Sequence, residues 1–484
     1  MADPASVLEI PVAAAPLERF IPILGEARVR EALGHAQRLR EGVGARRVWN
    51  VNSTGAGGGV AEMLRSLLAY ARGAGVDARW LVIHGDADFF RITKRLHNAL
   101  HGEAGDGSPL AGAERSLYET TLRSNATALH GCIAEHDVVI LHDPQTAGLV
   151  PGLLARGARV IWRCHIGTGI RNPHTELGWR FLLPYLRDVR ALVFSRAAFL
   201  PPLLDPGRTA IVPPSIDPFS AKNREMDPAR VRDILAFVGL LPGPPTAPPQ
   251  FERDDGSMGT VEHLADVLQL GPPPRQEAPL VVQVSRWDQL KDPAGVMHGF
   301  VRAAARGLPE NAELVLAGPN VRAVADDPDG PAIFEALSAD WRALPHGLRQ
   351  RVHLANLPMH DVEENGAIVN ALQRHAAVVV QKSLREGFGL TVTEAMWKSR
   401  PVIASAVGGI QDQIEDGVSG LLLRDPSDLD GLAASLVRVL SDAKLAGELG
   451  QRARQRVIEK FLGVRHLLQY AEIIERLDAG PARD

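Results

Sequence analysis

Cysteine is nearly absent. Cys132 and Cys164 are the only two in 484 residues. Two thiols make neither a zinc cluster nor a disulfide framework, and they suit a reducing compartment. Excess charge is lacking too. The 53 Lys and Arg against 57 Asp and Glu leave a net charge of −4, which gives no electrostatic case for nucleic acid as the main partner. No apolar run approaches the ~20 residues that span a membrane. Met1 to Pro16 lacks the basic start and long apolar core of a signal peptide. The expectation is a cytoplasmic protein without a membrane span.

Several chemical signatures are missing as well. There is no G-x-S-x-G elbow, which argues against a hydrolase triad. There is no P-loop and no G-x-G-x-x-G fingerprint. No D-x-D pair or His/Cys cluster stands at a strand end, so no metal site is expected. Asp326, Asp327 and Asp329 are close together, but in a Pro/Gly loop without an EF-hand pattern. No repeat of solenoid period is present.

What remains is a long α/β pattern. A chain of this length predicts more than one domain. Strands are expected at Arg46–Val51, Arg79–His84, Asp137–His142, Arg159–Cys164 and Ala191–Ser195, with helices between most of them. A second series is expected at Leu280–Ser285, Glu313–Ala317, Val352–Ala355, Ala377–Gln381 and Pro401–Ala404. Alternation of this kind predicts parallel sheets covered by helices on both faces. The stretch between the two series is Pro-rich at both ends, with a charged, helix-prone middle. The expected division is an extension over 1–45, a first Rossmann-like domain over 46–240, an insertion of poor regular structure over 241–275, a second Rossmann-like domain over 276–460 and a helix over 461–484 that packs back on the first domain. Open sheets bind ligands beyond the C-terminal ends of their strands, so a cleft between the two domains is expected.

The residues just past strand ends are therefore the candidates. After Val378–Val380 comes Gln381-Lys382-Ser383-Leu384-Arg385-Glu386-Gly387-Phe388-Gly389-Leu390, leading into a helix that carries Glu394. Glycines let the backbone approach a ligand, and the amides of a helix start favour phosphate or a polarised hydroxyl. Glu386 and Glu394 could each accept hydroxyl hydrogen bonds from a sugar, or simply be solvated carboxylates beside a helix. Past Val281–Ser285 stand Arg286 and Lys291, which could clamp a diphosphate or be two surface cations.

In the first half, Gly57, Gly58 and Gly59 follow a strand and open a helix, as a ligand-facing turn or merely a tight one. His165 follows Trp162-Arg163-Cys164 and precedes two glycines. It could bond a sugar hydroxyl, offer its carbonyl to the anomeric centre, or be a packed histidine. His142 and Asp143 end another strand, where they could bind an acceptor, or the Asp could cap a turn.

Arg286, Lys291, Glu386 and Glu394, with the Glu-Gly-Phe-Gly loop, together resemble the retaining GT-B glycosyltransferases of family 4. The resemblance narrows in Val51-Asn52-Ser53-Thr54, in Ile92-Thr93-Lys94-Arg95-Leu96-His97-Asn98, in His142-Asp143-Pro144-Gln145, in Ile368-Val369-Asn370-Ala371-Leu372-Gln373-Arg374 and in Gln381-Lys382-Ser383. These are similar to trehalose synthases of the glycosyltransferring type, from about Val48 to the C-terminal helix. Pro242–Pro274 and the segment before Arg46 depart from that pattern.

The resemblance implies a GT-B fold and a retaining transfer of glucose from a nucleoside diphosphate glucose, UDP-glucose or ADP-glucose, to glucose. The product is α,α-trehalose. The donor is a co-substrate, with no permanently bound cofactor. Arg286 and Lys291 would hold the diphosphate, Glu386 the transferred hexose and Glu394 the ribose. Gly58, Gly59, Gly387, Phe388, Gly389 and Leu390 would line the donor. Asn52, His142 and Asp143 would meet the acceptor, and His165 the reacting face. The expected partners are small sugars and a sugar nucleotide, with room for a homodimer. Two other readings stay open: a trehalose phosphorylase, to which the resemblance extends, and a sugar-nucleotide binder without catalysis.

Overall fold

The computed structural model describes residues 7–55, 58–321 and 329–479. Gly57, Asp326 and Asp327 lie outside the described residues. The chain divides into two compact units: Met1–Ser215 with Phe461–Asp484, and Ile216–Lys460.

The first unit is built on a seven-stranded sheet. Its strands are β1 (Leu8–Ile10), β2 (Val48–Asn52), β3 (Ala78–Val82), β4 (Val138–His142), β5 (Arg159–Cys164), β6 (Ala191–Phe194) and β7 (Thr209–Ile211). The order is β1-β3-β2-β4-β5-β6-β7. Only β1 is antiparallel, pairing Leu8 with Val82 and Ile10 with Trp80. Every residue of β2 and β4 is buried, as expected of parallel strands covered on both faces. One face packs a cluster with Phe89, Tyr118, Trp162 and Phe194. The other packs Trp80, Ile140 and Leu64 against Ala471 and Ile474 of the helix Gly463–Ala479. That helix lies on the helices Glu26–Val43 and Gly58–Gly73.

The second unit opens with residues 216–227 and the helix Pro228–Phe237, followed by a hairpin of β8 (Gln250–Glu252) and β9 (Met258–Thr260). Its main sheet holds β10 (Asp266–Leu268), β11 (Leu280–Val284), β12 (Glu313–Pro319), β13 (Val352–Leu357), β14 (Val378–Gln381), β15 (Val402–Ser405) and β16 (Leu421–Leu423). The order is β10-β13-β12-β11-β14-β15-β16, and only β10 is antiparallel, against β13. A core with Trp287, Phe300, Trp341 and Leu436 fills one side.

Three expectations are corrected. Residues 216–240 fold with the second unit, not the first. The side-chain amide of Asn370 donates to the carbonyls of Ala221 and Arg224, and the Trp397 indole N–H to that of Asn223. Burying those donors inside the second unit ties the segment there. The charged middle of the Pro-rich stretch is a hairpin rather than a helix. Asp255-Gly256 makes its turn, with Gly256 at φ +86°, a residue pair suited to hairpin loops. Side chains of the helix Val362–His375 and its N-cap hold the stretch. Glu364 accepts the amides of Glu262 and His263 at 2.7 and 2.9 Å. Arg253 pairs with Asp361 and Glu363 at 2.6 and 2.9 Å. Finally, 1–45 is more than an appendage, since β1 extends the first sheet.

Candidate active site

Each sheet has one point where strand order reverses: between β2 and β4 in the first unit, and between β11 and β14 in the second. Loops leaving adjacent strands in opposite directions open a crevice there.

At the second switch point the loop after β11 meets the loop after β14. The Leu384 amide donates to the Leu290 carbonyl at 2.8 Å. Lys291 Nζ reaches Glu386 Oε2 at 2.5 Å, with side-chain exposures of 19% and 10%. So Lys291 of the expected diphosphate clamp and Glu386, the expected hexose ligand, are in direct contact. Gln283 on β11 steadies the loop by donating to the Lys291 carbonyl at 2.8 Å. Ser383 Oγ donates to Glu386 Oε2 at 3.3 Å, and the Gly387 amide to Oε1 at 3.2 Å. Arg286 lies on the same loop, with its guanidinium 3.6 Å from Asp288 and 57% of its side chain exposed.

A second, deeper pair was not foreseen. Lys382, almost fully buried, bonds Asp292. Asp292 holds a left-handed conformation (φ 49°) and caps the helix Pro293–Ala304 through the Gly295 amide. This pair locks the two loops together below the Lys291–Glu386 contact. Its sequence signal was Asp292-Pro293, an N-cap before a proline at the first helical position.

Gly389, at φ +83°, starts the eight-residue helix Leu390–Trp397, which has no side-chain cap. Glu394 is buried within it. Its Oε1 lies 3.7 Å from Lys222 Nζ, while Oε2 accepts no hydrogen bond among the described residues. A buried carboxylate oxygen without a donor is costly unless a ligand supplies one. Behind it, Lys398 donates to Asn223, Gln373 and the Glu394 carbonyl, and burial pushes its ammonium down to about 7.

Gly408 and Gly409, also unforeseen, brace the Glu-Gly-Phe-Gly loop. The Gly409 amide donates to the Gly387 carbonyl at 2.8 Å. A Cβ on Gly408 would stand 1.7 Å from the Glu386 carbonyl oxygen. The glycine pair after a strand was the available signal.

At the first switch point the candidates form a buried network. Asp143 (φ 64°) accepts the His165 amide on Oδ1 at 2.7 Å. Although the residue keeps some exposed surface, its carboxyl is enclosed by protein. Burial pushes it up to about 7, against the pull of the His165 amide and of the Arg163 charge. His142 Nδ1 and His165 Nε2 are 2.9 Å apart, and His142 Nε2 is 3.0 Å from Asn50 Oδ1. His165 Nδ1 faces the Arg163 guanidinium at 3.4 Å. Burial holds the imidazoles well below their ordinary range, His142 at about 3.

Both histidines therefore have both ring nitrogens engaged within the protein. His142 is a link in the network, not a ring open to an acceptor. Of the alternatives for His165, the geometry disfavours the side-chain bond to a hydroxyl and leaves two: the carbonyl, which accepts Ser195 Oγ at 3.2 Å, or a packed histidine. Asn52 is likewise engaged: its Nδ2 donates to the Thr54 carbonyl, and its Oδ1 accepts the Trp80 indole. Gly58 and Gly59 start the helix Gly58–Gly73 just past β2. Among the described residues no group of three metal-ligating side chains is gathered, and no helix is long and apolar enough to cross a membrane.

Comparison with known proteins gives this geometry a family. Residues 50–201 match the model for the N-terminal domain of trehalose synthase, and residues 272–456 match the model for glycosyl transferases group 1. A trehalose synthase from Rubrobacter xylanophilus is 36% identical over 93% of this chain and 94% of its own. One from Pyrococcus horikoshii is 33% identical over 95% and 96%. Trehalose phosphorylases also match, the first, from Pleurotus pulmonarius, at 26% over 92% of this chain and 58% of its own length. Among solved structures, an α,α-trehalose-phosphate synthase (UDP-forming) from Burkholderia vietnamiensis covers 90% of this chain and all of its own, at 16% identity and a TM-score of 0.65. The chain thus belongs to the trehalose synthase family of GT-B glycosyltransferases.

Proposed function

We propose that this enzyme transfers glucose, with retention, from a nucleoside diphosphate glucose to glucose, giving α,α-trehalose and the free nucleoside diphosphate. The observation that carries this reading is the second switch point, where Lys291 and Glu386 meet beside a helix whose Glu394 keeps a buried, unpartnered oxygen. A cation and a carboxylate suit the two ends of the bond to be broken. Lys291 and Arg286 neutralise the departing diphosphate, and Glu386 holds hydroxyls of the hexose.

Glu394 favours a nucleotide over inorganic phosphate, because a ribose supplies the hydroxyl donors that Oε2 lacks. With the donor bound, Lys291 exchanges the Glu386 carboxylate for phosphate oxygens. The acceptor hydroxyl oxygen then bonds the anomeric carbon as the bond from that carbon to the phosphate oxygen breaks. The hydroxyl proton passes to the leaving phosphate oxygen on the same face. The protein's part is positioning and charge stabilisation. In the first unit, Asp143 is assigned to the acceptor and the His165 main chain to the reacting sugar.

The test runs the reaction backwards. The protein is incubated with trehalose and, separately, with UDP, ADP or inorganic phosphate, and the product is identified. A nucleoside diphosphate glucose is expected with at least one nucleotide. Glucose 1-phosphate formed from phosphate alone would establish the phosphorylase instead. No product in any arm would leave only a sugar-nucleotide binder and overturn the proposal.

A further inference from the structure

Arg163, on β5, is fully buried. Among the described residues no carboxylate forms an ion pair with it: Nε faces His165 Nδ1 and Nη2 faces Ser195 Oγ, both at 3.4 Å, and Nη1 has no hydrogen-bond partner. Its charge is felt by Asp143, which holds the His165 amide. A buried guanidinium spent on a neutral ring and a hydroxyl is costly, which calls for a reason.

The reason lies in direction. A guanidinium can only donate. Its Nε–H therefore makes His165 Nδ1 an acceptor, which places the His165 proton on Nε2. That proton points at His142 Nδ1, 2.9 Å away, so His142 carries its own proton on Nε2 and donates to Asn50 Oδ1 at 3.0 Å. Without a fixed donor at one end, the other three groups could be wired in reverse, from the Asn50 amide outward, since imidazole and carboxamide each present either polarity.

Arg163 also acts on the other side of His165. Its Nη2 donates to Ser195 Oγ, and Ser195 in turn donates to the His165 carbonyl at 3.2 Å. The ring and the carbonyl of His165 are thus both set from one guanidinium.

We propose that Arg163 is a positioning residue. It polarises the Arg163–His165–His142–Asn50 chain in one direction, fixing both imidazoles as neutral Nε2–H tautomers, and so holds the His165 main chain at the sheet edge. Its effect on turnover rests on the role given to His165 above; the tautomers do not.

Joint neutron and X-ray diffraction of the deuterated protein reads the protons directly. Deuterium on Nε2 of His142 and His165, and none on either Nδ1, is expected; deuterium on His165 Nδ1 overturns the proposal. Arg163→Lys keeps a donor, whereas Arg163→Met removes it. If the methionine variant folds, it should lose more than 10-fold in kcat with little change in donor KM, and show a mixed or reversed His165 tautomer. The lysine variant should recover most of both. A methionine variant with normal kcat would remove the positioning role even where the tautomers shift. If that variant does not fold, an Arg163→Lys enzyme with the reversed tautomer and unimpaired turnover would do the same. If the chain makes no trehalose from any nucleotide donor, the diffraction result still decides the polarity of the network.

Discussion

Lys291 Nζ lies 2.5 Å from Glu386 Oε2, across 95 residues of sequence, in the crevice where the second sheet reverses its strand order. The pair keeps two partly buried charges compensated before a donor arrives. In the proposed reaction, the donor's phosphates take over Lys291 and its hexose hydroxyls take over Glu386.

That exchange separates two affinities. Glu386→Gln removes the carboxylate that holds the hexose but releases Lys291 for phosphate. Titration calorimetry should show binding of the free nucleoside diphosphate unchanged or tighter. The added affinity for the sugar nucleotide should be lost, and kcat/KM should fall about 100-fold, in keeping with the loss of ~3 kcal/mol of charged hydrogen bonding. Weaker binding of the free nucleotide would contradict the pairing.

Glu394→Gln addresses the ribose. The glutamine keeps the volume but loses the charge next to Lys222. Donor KM should rise by ~10-fold or more, the scale of one or two charged hydrogen bonds, with kcat changed less. Equal loss of affinity for inorganic phosphate and for the nucleotide would show that Glu394 does not read a ribose.

Gly408 has φ +49°, and a Cβ there would collide with the Glu386 carbonyl. Gly408→Ala must displace the loop that carries Glu386. Melting should show a loss of ~2 kcal/mol or more, together with loss of transfer. Gly347→Ala, where a Cβ meets open space, serves as control and should stay within ~0.5 kcal/mol. Equal behaviour of the two variants would refute the close contact.

Asp143 gives a pH dependence whose sign is fixed. Its carboxyl is raised from 3.8 to about 7 in the folded protein, so the native state binds the extra proton between those values. The stability it contributes is complete below pH 3.8 and is lost as pH rises through 7. In denaturant titrations from pH 4 to 8, any advantage of the wild type over Asp143→Asn should shrink steadily with rising pH. The other titrating groups are common to both proteins. A constant difference across that range would contradict the raised value.

The central strands were legible because parallel strands buried on both faces leave near-continuous apolar runs, as in Val138–His142 and Leu280–Val284. The Lys291–Glu386 contact was legible because both residues follow such strands. What escaped were short edge pieces. Leu8–Ile10, Asp266–Leu268 and Leu421–Leu423 are three residues each, too short for any period to register. The boundary after Ser215 escaped because it depends on Asn370 and Trp397, more than 140 residues away. The engagement of His142 and Asn52 escaped for a different reason: a strand end marks where a side chain is placed, but not whether a neighbour already occupies it. Arg163 sat inside a motif that had been noticed, but the direction of its hydrogen bonds is a property of the fold that no sequence pattern carries.

The central claim is that Lys291 draws off the charge of the departing diphosphate. Turnover of wild type and Lys291→Ala should be measured side by side at saturating glucose and donor, with both UDP-glucose and ADP-glucose. The expected result is a fall in kcat of ~100-fold or more, the usual scale for losing one charge-stabilising donor, with a smaller change in donor KM. A Lys291→Ala enzyme that makes trehalose at the wild-type rate from either donor would contradict the account.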